Sequence, residues 1–318
     1  IFYNSLFMTN NITIITYHYI RNPDKKFLPN LKVLKIKKFE KQIKYLKKNH
    51  KILSYDEINY CVKNNKKFPN KSCWLTFDDG YKDHIDNVYP ILKKYNLFGS
   101  FFPTVTKDKK EKVMNVNKIQ MLLASHINEN EIIEYAKKLI IDNKKNYRLR
   151  EFKFYEKNFK FKNQFDNLNI SFIKNLLQFG IPSPLREKII DNLFKEKIQL
   201  DEKIIANNYY LSENDILKLK NNGMHIGGHG YHHLRLGKLK IKDQVDEIKE
   251  TYTFLRKIYK NEKNFVMCYP FGDYNKDTIT VLKKFNFNLG LTTSRKVANF
   301  QKANKFEIPR LDTNDIII

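Results

Sequence analysis

Two carboxylates stand side by side in the stretch Trp74-Leu75-Thr76-Phe77-Asp78-Asp79-Gly80, where an apolar run stops. Asp-Gly makes turns and an Asp doublet caps helices, so alone the stretch says little more than strand end. A second stretch, HIGGHGYHHLRL over 225–236, adds histidines at a telling spacing. His229 and His233 are four residues apart, which on a helical turn sets both imidazoles on one side. With one carboxylate, from Asp78 or Asp79, they make a facial set of metal ligands that leaves positions open for water and substrate. His232, one position off, turns away from that pair. His225, on the strand before the loop, suits a packed or hydrogen-bonded role. His18, in TYHYI, is a further titratable group at a strand end.

Strands and helices must bring these groups together. NITIITYHYI (11–20) alternates and is rich in β-branched and aromatic residues, which predicts a strand ending at His18. IKKFEKQIKYLKKNH (36–50) carries Phe39, Ile43 and Leu46 at helical spacing. Ser54 with Glu57, and Ser212 with Asp215, have the spacing of helix capping boxes. SCWLTFDDG and GSFFPTV read as strands around the helix HIDNVYPILKKYN. MHIGGHG, NFVMCYPFG and LGLTTS supply later strands, separated by the helices DQVDEIKETYTFLRKIY and DTITVLKKFNF. Alternation of strand and helix predicts an α/β fold with a parallel sheet or barrel, whose functional groups gather beyond the carboxyl ends of the strands. Residues 1–106 and 206–318 are assigned to that scaffold. Residues 107–205, rich in Lys and Asn with helical periodicity, read as a largely helical insertion. Its place between two chemistry-bearing stretches leads to the expectation that it overhangs the strand ends and sets substrate choice.

The chain has 318 residues, enough for a sizeable core, and 42% hydrophobic content argues against disorder. A net charge of +25 suggests a nucleic-acid partner, but 51 of the 59 basic residues are Lys and only 8 are Arg. Phosphate- and base-reading surfaces favour the planar fork of Arg. The Lys residues are spread along the whole chain, so solvated faces account for them and no specific nucleic-acid partner is expected; peripheral contact with an anionic membrane surface or acidic glycan is a minor expectation. Cys61, Cys73 and Cys268 are too few and scattered for a disulfide framework. The sequence has no apolar run of membrane-spanning length, and IFYNSLFMTNN has no signal-like pattern, which leads to the expectation of a cytoplasmic protein.

TFDDG, then H-x-x-x-H after an IGGH strand, then PFG, resemble in type and order the polysaccharide deacetylases, the NodB-homology domain of carbohydrate esterase family four. The family's strand–helix pattern covers most of the chain outside the helical insertion. The resemblance implies a distorted (β/α) barrel and a metal-dependent hydrolase. The hydrolase would remove the N-acetyl group of an acetamido sugar in a surface glycan or its free, nucleotide-linked or lipid-linked precursor. It places Asp79, His229 and His233 on one divalent ion, zinc as a rule, and makes Asp78 the base. The family's acid histidine normally lies in an L-x-x-H motif near the C-terminus, yet EIPRLDTNDIII has no His. TYHYI before TFDDG is similar to the rearranged order of the biofilm poly-N-acetylglucosamine deacetylases, which makes His18 the acid.

Two positions depart from the family pattern. Gly230 replaces the hydroxyl residue of H-[ST]-x-x-H, and Cys268-Tyr269-Pro270-Phe271 stands where R-P-P-Y is expected, so the arginine that orients the base is absent. Arg310, in IPRLD at the end of a late strand, either pairs with Asp78 in its place, joining the catalytic set, or makes a surface salt bridge. Tyr269 and Pro270 are expected to wall a sugar groove, with the Phe271 backbone N–H donating to the oxyanion. The missing arginine leaves an alternative, a catalytically impaired relative that binds carbohydrate through the same groove.

Overall fold

The computed structural model describes residues 8–105, 111–162, 166–260 and 264–317. The chain divides into two compact units, one of Ile1–Asn22, Val33–Lys107 and Asn208–Ile318, the other of Pro23–Lys32 and Asp108–Asn207.

In the first unit, β1 (Asn11–Tyr17), β2 (Ser72–Asp79), β3 (Ser100–Pro103) and β4 (His225–Ile226) pair in that order, all parallel. Gly228, just past β4, bridges Met267 in β5 (Phe265–Cys268), and β5 pairs parallel with β6 (Phe287–Leu291). Leu291 bridges Ile308, and the strand that follows, β7 (Leu311–Asp312), returns to β1 with Leu311 opposite Ile15. The parallel path closes on itself, so the architecture is a distorted α/β barrel whose ring includes two single-bridge seams.

Alternation along the strands sorts the core into two layers. Ile14, Trp74, Phe102, Val266, Cys268, Leu289 and Ile308 meet in the lumen. On the other face, Ile15, Leu75, Phe77, Phe101 and Met267 turn outward onto Phe39, Ile43, Leu46, Ile248 and Leu282 of the helices. β2 is buried at every position, as a strand covered on both faces must be. This register carries Trp74, Thr76 and Asp78 to the lumen.

The helices follow from local sequence. Ile36–Asn49 buries Phe39, Ile43 and Leu46 at helical spacing. Tyr55–Lys63 starts on a capping box, with Glu57 N–H donating to Ser54 Oγ at 3.3 Å and Ser54 N–H to Glu57 Oε2 at 2.9 Å. Ser212 and Asp215 make the same reciprocal pair ahead of Glu213–Asn221. The expected helix after β2 opens as a π-turn over His84–Val88 before Tyr89–Lys94 continues as α-helix.

The second unit is helical, with Asn115–Ala124, Glu129–Asp142, Phe152–Phe159, Leu168–Asn175 and Ser183–Ile198 around Ile132, Ala136, Phe172, Ile189 and Leu193. Its one deeply buried ammonium, Lys118 among the described residues, lies 2.6 Å from Asp191 and 2.7 Å from Glu202. Pro23–Lys32, which strand–helix rhythm leaves in the barrel, belongs to this unit: Asn30 N–H donates to Ala124 O at 3.1 Å. Among the described residues no helix is long and apolar enough to cross a membrane.

Candidate metal centre and active site

The carboxyl ends of the strands bring the sequence-predicted residues together, except that Arg310, expected at a strand end, instead lies ahead of its strand. His18 follows β1, Asp78 and Asp79 end β2, His229 and His233 follow β4, residues 269–271 follow β5, and Arg310 precedes β7. Asp78 keeps the strand alternation and points into the lumen. Asp79 does not, because its φ is +72°, a left-handed conformation that Asp tolerates better than most residues. The backbone turn at Asp79 sends the second carboxylate out of the lumen toward the two histidines.

Asp79 Oδ1 lies 3.0 Å from His229 Nε2 and 3.2 Å from His233 Nε2. The two imidazoles meet edge to face with centroids 4.9 Å apart. No helical turn produces this. Residues 229–233 form a loop with left-handed backbone at Gly230 (φ +74°) and His233 (φ +58°), and that double reversal returns the second ring to the first. The four-residue spacing brings both rings to Asp79 through a loop, not through the helical turn that the spacing suggests.

Tautomers sharpen the site. His229 Nδ1 lies 2.8 Å from the Cys268 carbonyl oxygen, which can only accept, so Nδ1 carries the proton. Nε2 is then a lone-pair donor facing a carboxylate oxygen, and the contact is favourable only with a proton or cation between them. Without an ion, burial alone would depress the His229 pKa, but Cys268 and the bond to Asp79 outweigh it and push it up. Burial dominates at His233 and pushes it down, despite Asp79. Asp79 is held well below the usual carboxylate range, the two histidine bonds outweighing burial. Tyr81, fully buried, also hydrogen-bonds this carboxylate. Two imidazole nitrogens and one carboxylate oxygen, all within 4.8 Å of one another, are a group that could hold a divalent ion and leave positions open.

Asp78 is held by an unlike set. Arg310, 1% exposed, donates Nη1–H to Oδ1 at 2.9 Å and Nη2–H to Oδ2 at 2.7 Å. Its other N–H groups reach Thr292 O at 3.0 Å, Thr76 Oγ1 at 3.1 Å and Cys268 Sγ at 2.8 Å. All five guanidinium donors therefore have acceptors. Thr16 Oγ1 adds a bond to Oδ2 at 3.1 Å and Cys268 Sγ another at 3.3 Å. Burial works to raise the Asp78 pKa, but the Arg310 charge and bonds carry it below the usual range. Arg310 is thus no surface residue. Its guanidinium reaches the small Cys268 side chain, at the position where the family pattern has its arginine. His18 Nε2 lies 3.9 Å from Asp78 Oδ2 with its side chain 45% exposed.

The expected groove wall is corrected. Tyr269 is 1% exposed, stacked on Tyr274 with centroids 4.5 Å apart, and its hydroxyl donates to Phe306 O at 2.9 Å. Pro270 is also buried, packed beneath Gly230. Cys268 faces the lumen, so Tyr269, next along an extended chain, must face the other way. Of the three, Phe271 alone keeps partial exposure, its ring 4.6 Å from His233 and under the Arg235 guanidinium at 4.3 Å. His225 stacks on Tyr55 at 3.6 Å, and His232 turns to Glu247. Sequence reasoning missed Thr16, Thr76 and Glu247. Glu247 had a signal: with Gln244 and Thr251 it puts polar residues on the otherwise apolar stripe of Ile241–Ile258.

Fold and site define a class, and comparison with known proteins bears it out. The family model for polysaccharide deacetylase matches residues 65–134 and 181–290, more than half of the chain, and the chain belongs to that family. It is similar to a poly-beta-1,6-N-acetyl-D-glucosamine N-deacetylase of Staphylococcus aureus (strain MRSA252), 22% identical over 278 residues, 87% of this chain. A Bacillus subtilis (strain 168) relative is 19% identical over 292 residues, 91% of this chain. The chain spans 66% of the length of each of these two relatives. Among solved structures, the Streptococcus pyogenes deacetylase PplD, in complex with acetate, aligns with a TM-score of 0.59 at 18% identity, over 95% of this chain and 92% of that one. IcaB from Ammonifex degensii aligns with a TM-score of 0.55 at 14% identity, over 96% and 93%. At these identities the structural likeness speaks for the fold.

Proposed function

We propose that the protein is a metal-dependent N-deacetylase that hydrolyses the acetamido group of a sugar in a surface glycan or its precursor. The carrying observation is the convergence of Asp79, His229 and His233 at the mouth of the barrel, beside a separate, ionised Asp78 in the lumen. Asp79, His229 and His233 would hold the ion, and zinc suits two imidazoles and one carboxylate. Bound there, a divalent ion supplies Lewis-acid polarisation of the amide carbonyl and lowers the pKa of water to about 7.

The chain's own residues do the rest. Asp78 takes a proton from the water whose oxygen attacks the acetyl carbon. The Phe271 backbone N–H donates to the carbonyl oxygen as it gains charge. His18 gives a proton to the nitrogen as the carbon–nitrogen bond breaks, releasing acetate and a free amine. Arg310 acts as a positioning residue, fixing Asp78 in orientation and keeping it ionised. The buried Arg310–Asp78 pair speaks against an impaired carbohydrate-binding relative, because a guanidinium lies against Asp78 although the motif arginine is absent.

The names of its relatives make β-1,6-linked N-acetylglucosamine oligomers the first substrates to try. Purified protein should contain about one zinc per chain and release acetate from such oligomers. Asp79→Asn should lose both the metal and about three orders of magnitude or more in rate, since it removes a ligand and not merely a proton carrier. A wild-type protein loaded with zinc that releases no acetate from a panel of acetamido glycans would overturn the proposal.

A further inference from the structure

The loop carrying both imidazole ligands has left-handed backbone at Gly230 and His233, and such backbone persists only where its surroundings over-determine it. A side chain at position 230 cannot supply the support. A Cβ there would sit 3.2 Å from Pro270 Cγ and 3.6 Å from Glu247 Oε2, at a φ that L residues rarely adopt. The support comes from beneath. Glu247, 5% exposed on the helix Ile241–Ile258, accepts the backbone N–H of Tyr231 at 3.0 Å and of His232 at 2.9 Å, both on Oε2. Its Oε1 meets His232 Nδ1 at 2.5 Å. The helix sits close under the strand end, since a Cβ on Gly228 would fall 2.5 Å from Thr251 Cγ2. One carboxylate thus ties two consecutive amides and one ring of a five-residue loop to a packed helix.

We infer that Glu247 is the positioning residue that presets His229 and His233 for the ion. The inference rests on the reading of Asp79, His229 and His233 as metal ligands. It makes the clamp a matter of reach and acceptor geometry, not of charge. Gln has the same reach: its oxygen can accept both amides while its NH2 faces His232 Nδ1 in the other tautomer. Asp keeps the charge but is one methylene short.

The test is zinc affinity of the full chain by chelator competition, with the visible spectrum of the cobalt(II) form as a second readout. Glu247→Ala and Glu247→Asp should weaken zinc binding about 10–100-fold, as loss of an outer partner does, and alter the cobalt spectrum. Glu247→Gln should stay within about threefold of wild type. Wild-type affinity in a folded Ala variant, or an Asp variant that binds better than Gln, would overturn the clamp. If the Ala variant fails to fold, the Asp and Gln pair still decides. Wild-type protein that binds no zinc would sink the ligand assignment itself and the clamp with it, whereas zinc-binding wild type with unchanged variants would sink the clamp alone.

Discussion

Asp78 and Asp79 are consecutive, both buried, and both held below the usual carboxylate range, yet by opposite means. In the lumen, Asp78 meets a permanent cation, and the set is complete: each N–H of Arg310 finds an acceptor and both carboxylate oxygens find donors. At the mouth, Asp79 meets two imidazole nitrogens on one carboxylate oxygen, and His229, its proton on Nδ1, turns a lone pair toward it. That set closes only with a proton or an ion. A closed polar set gives a fixed orientation, an open one gives a binding site, and one left-handed residue at the end of β2 makes neighbours serve both ends.

The comparison breaks most visibly at Asp78. Asp78→Asn should keep about one zinc per chain while acetate release falls about 10²–10⁴-fold. It also leaves Arg310 buried and unpaired, which should cost about 3–5 kcal/mol in urea unfolding. Loss of zinc in this variant would show that the two carboxylates are not separate sets.

Arg310→Met tests the closed set from its other side, and the sign of the pH dependence is the sharper readout. In the wild type the folded pKa of Asp78 lies below its unfolded value of about 3.9, so its stabilisation is present above that pH and is lost as pH falls through the folded value. Without the guanidinium, burial dominates and lifts the folded pKa above the unfolded one. The variant should then be about 3 kcal/mol less stable than wild type at pH 7, and the deficit should shrink toward pH 4. A deficit equal at both pH values would refute the coupling. The smallest effect is expected at Tyr269→Phe, which removes only the bond to Phe306 O: about 1 kcal/mol of stability, with zinc content and KM unchanged. A raised KM would restore Tyr269 to the groove.

Much of the barrel and most of the site residues were legible in the sequence because both rest on local rules. Period-two alternation marks β1, an apolar run marks β2, capping boxes mark helix starts, and the reactive side chains fall where apolar runs end. The loop at 229–233 was not legible as a conformation. Spacing of four is shared by a helical turn and by a loop with two left-handed residues, and only packing against Pro270 and Glu247 selects the second. The burial of Tyr269 follows from its neighbour, since a lumen-facing Cys268 on an extended chain turns Tyr269 the other way. Pro23–Lys32 joins the helical unit through contacts such as Asn30 to Ala124, for which no local pattern speaks.

Arg310 comes later in the chain than every other group at the site, and its partner Asp78 is 232 positions earlier. During synthesis the ribosome has therefore made the doublet, His229, His233 and His18 well before the counter-ion of Asp78 emerges. A nascent barrel lacking that segment must leave Asp78 solvated or protonated, so its lumen cannot close around a charged carboxylate. Arrival of one guanidinium after every other group acts as a latch, tying closure of the lumen around Asp78 to completion of the ring.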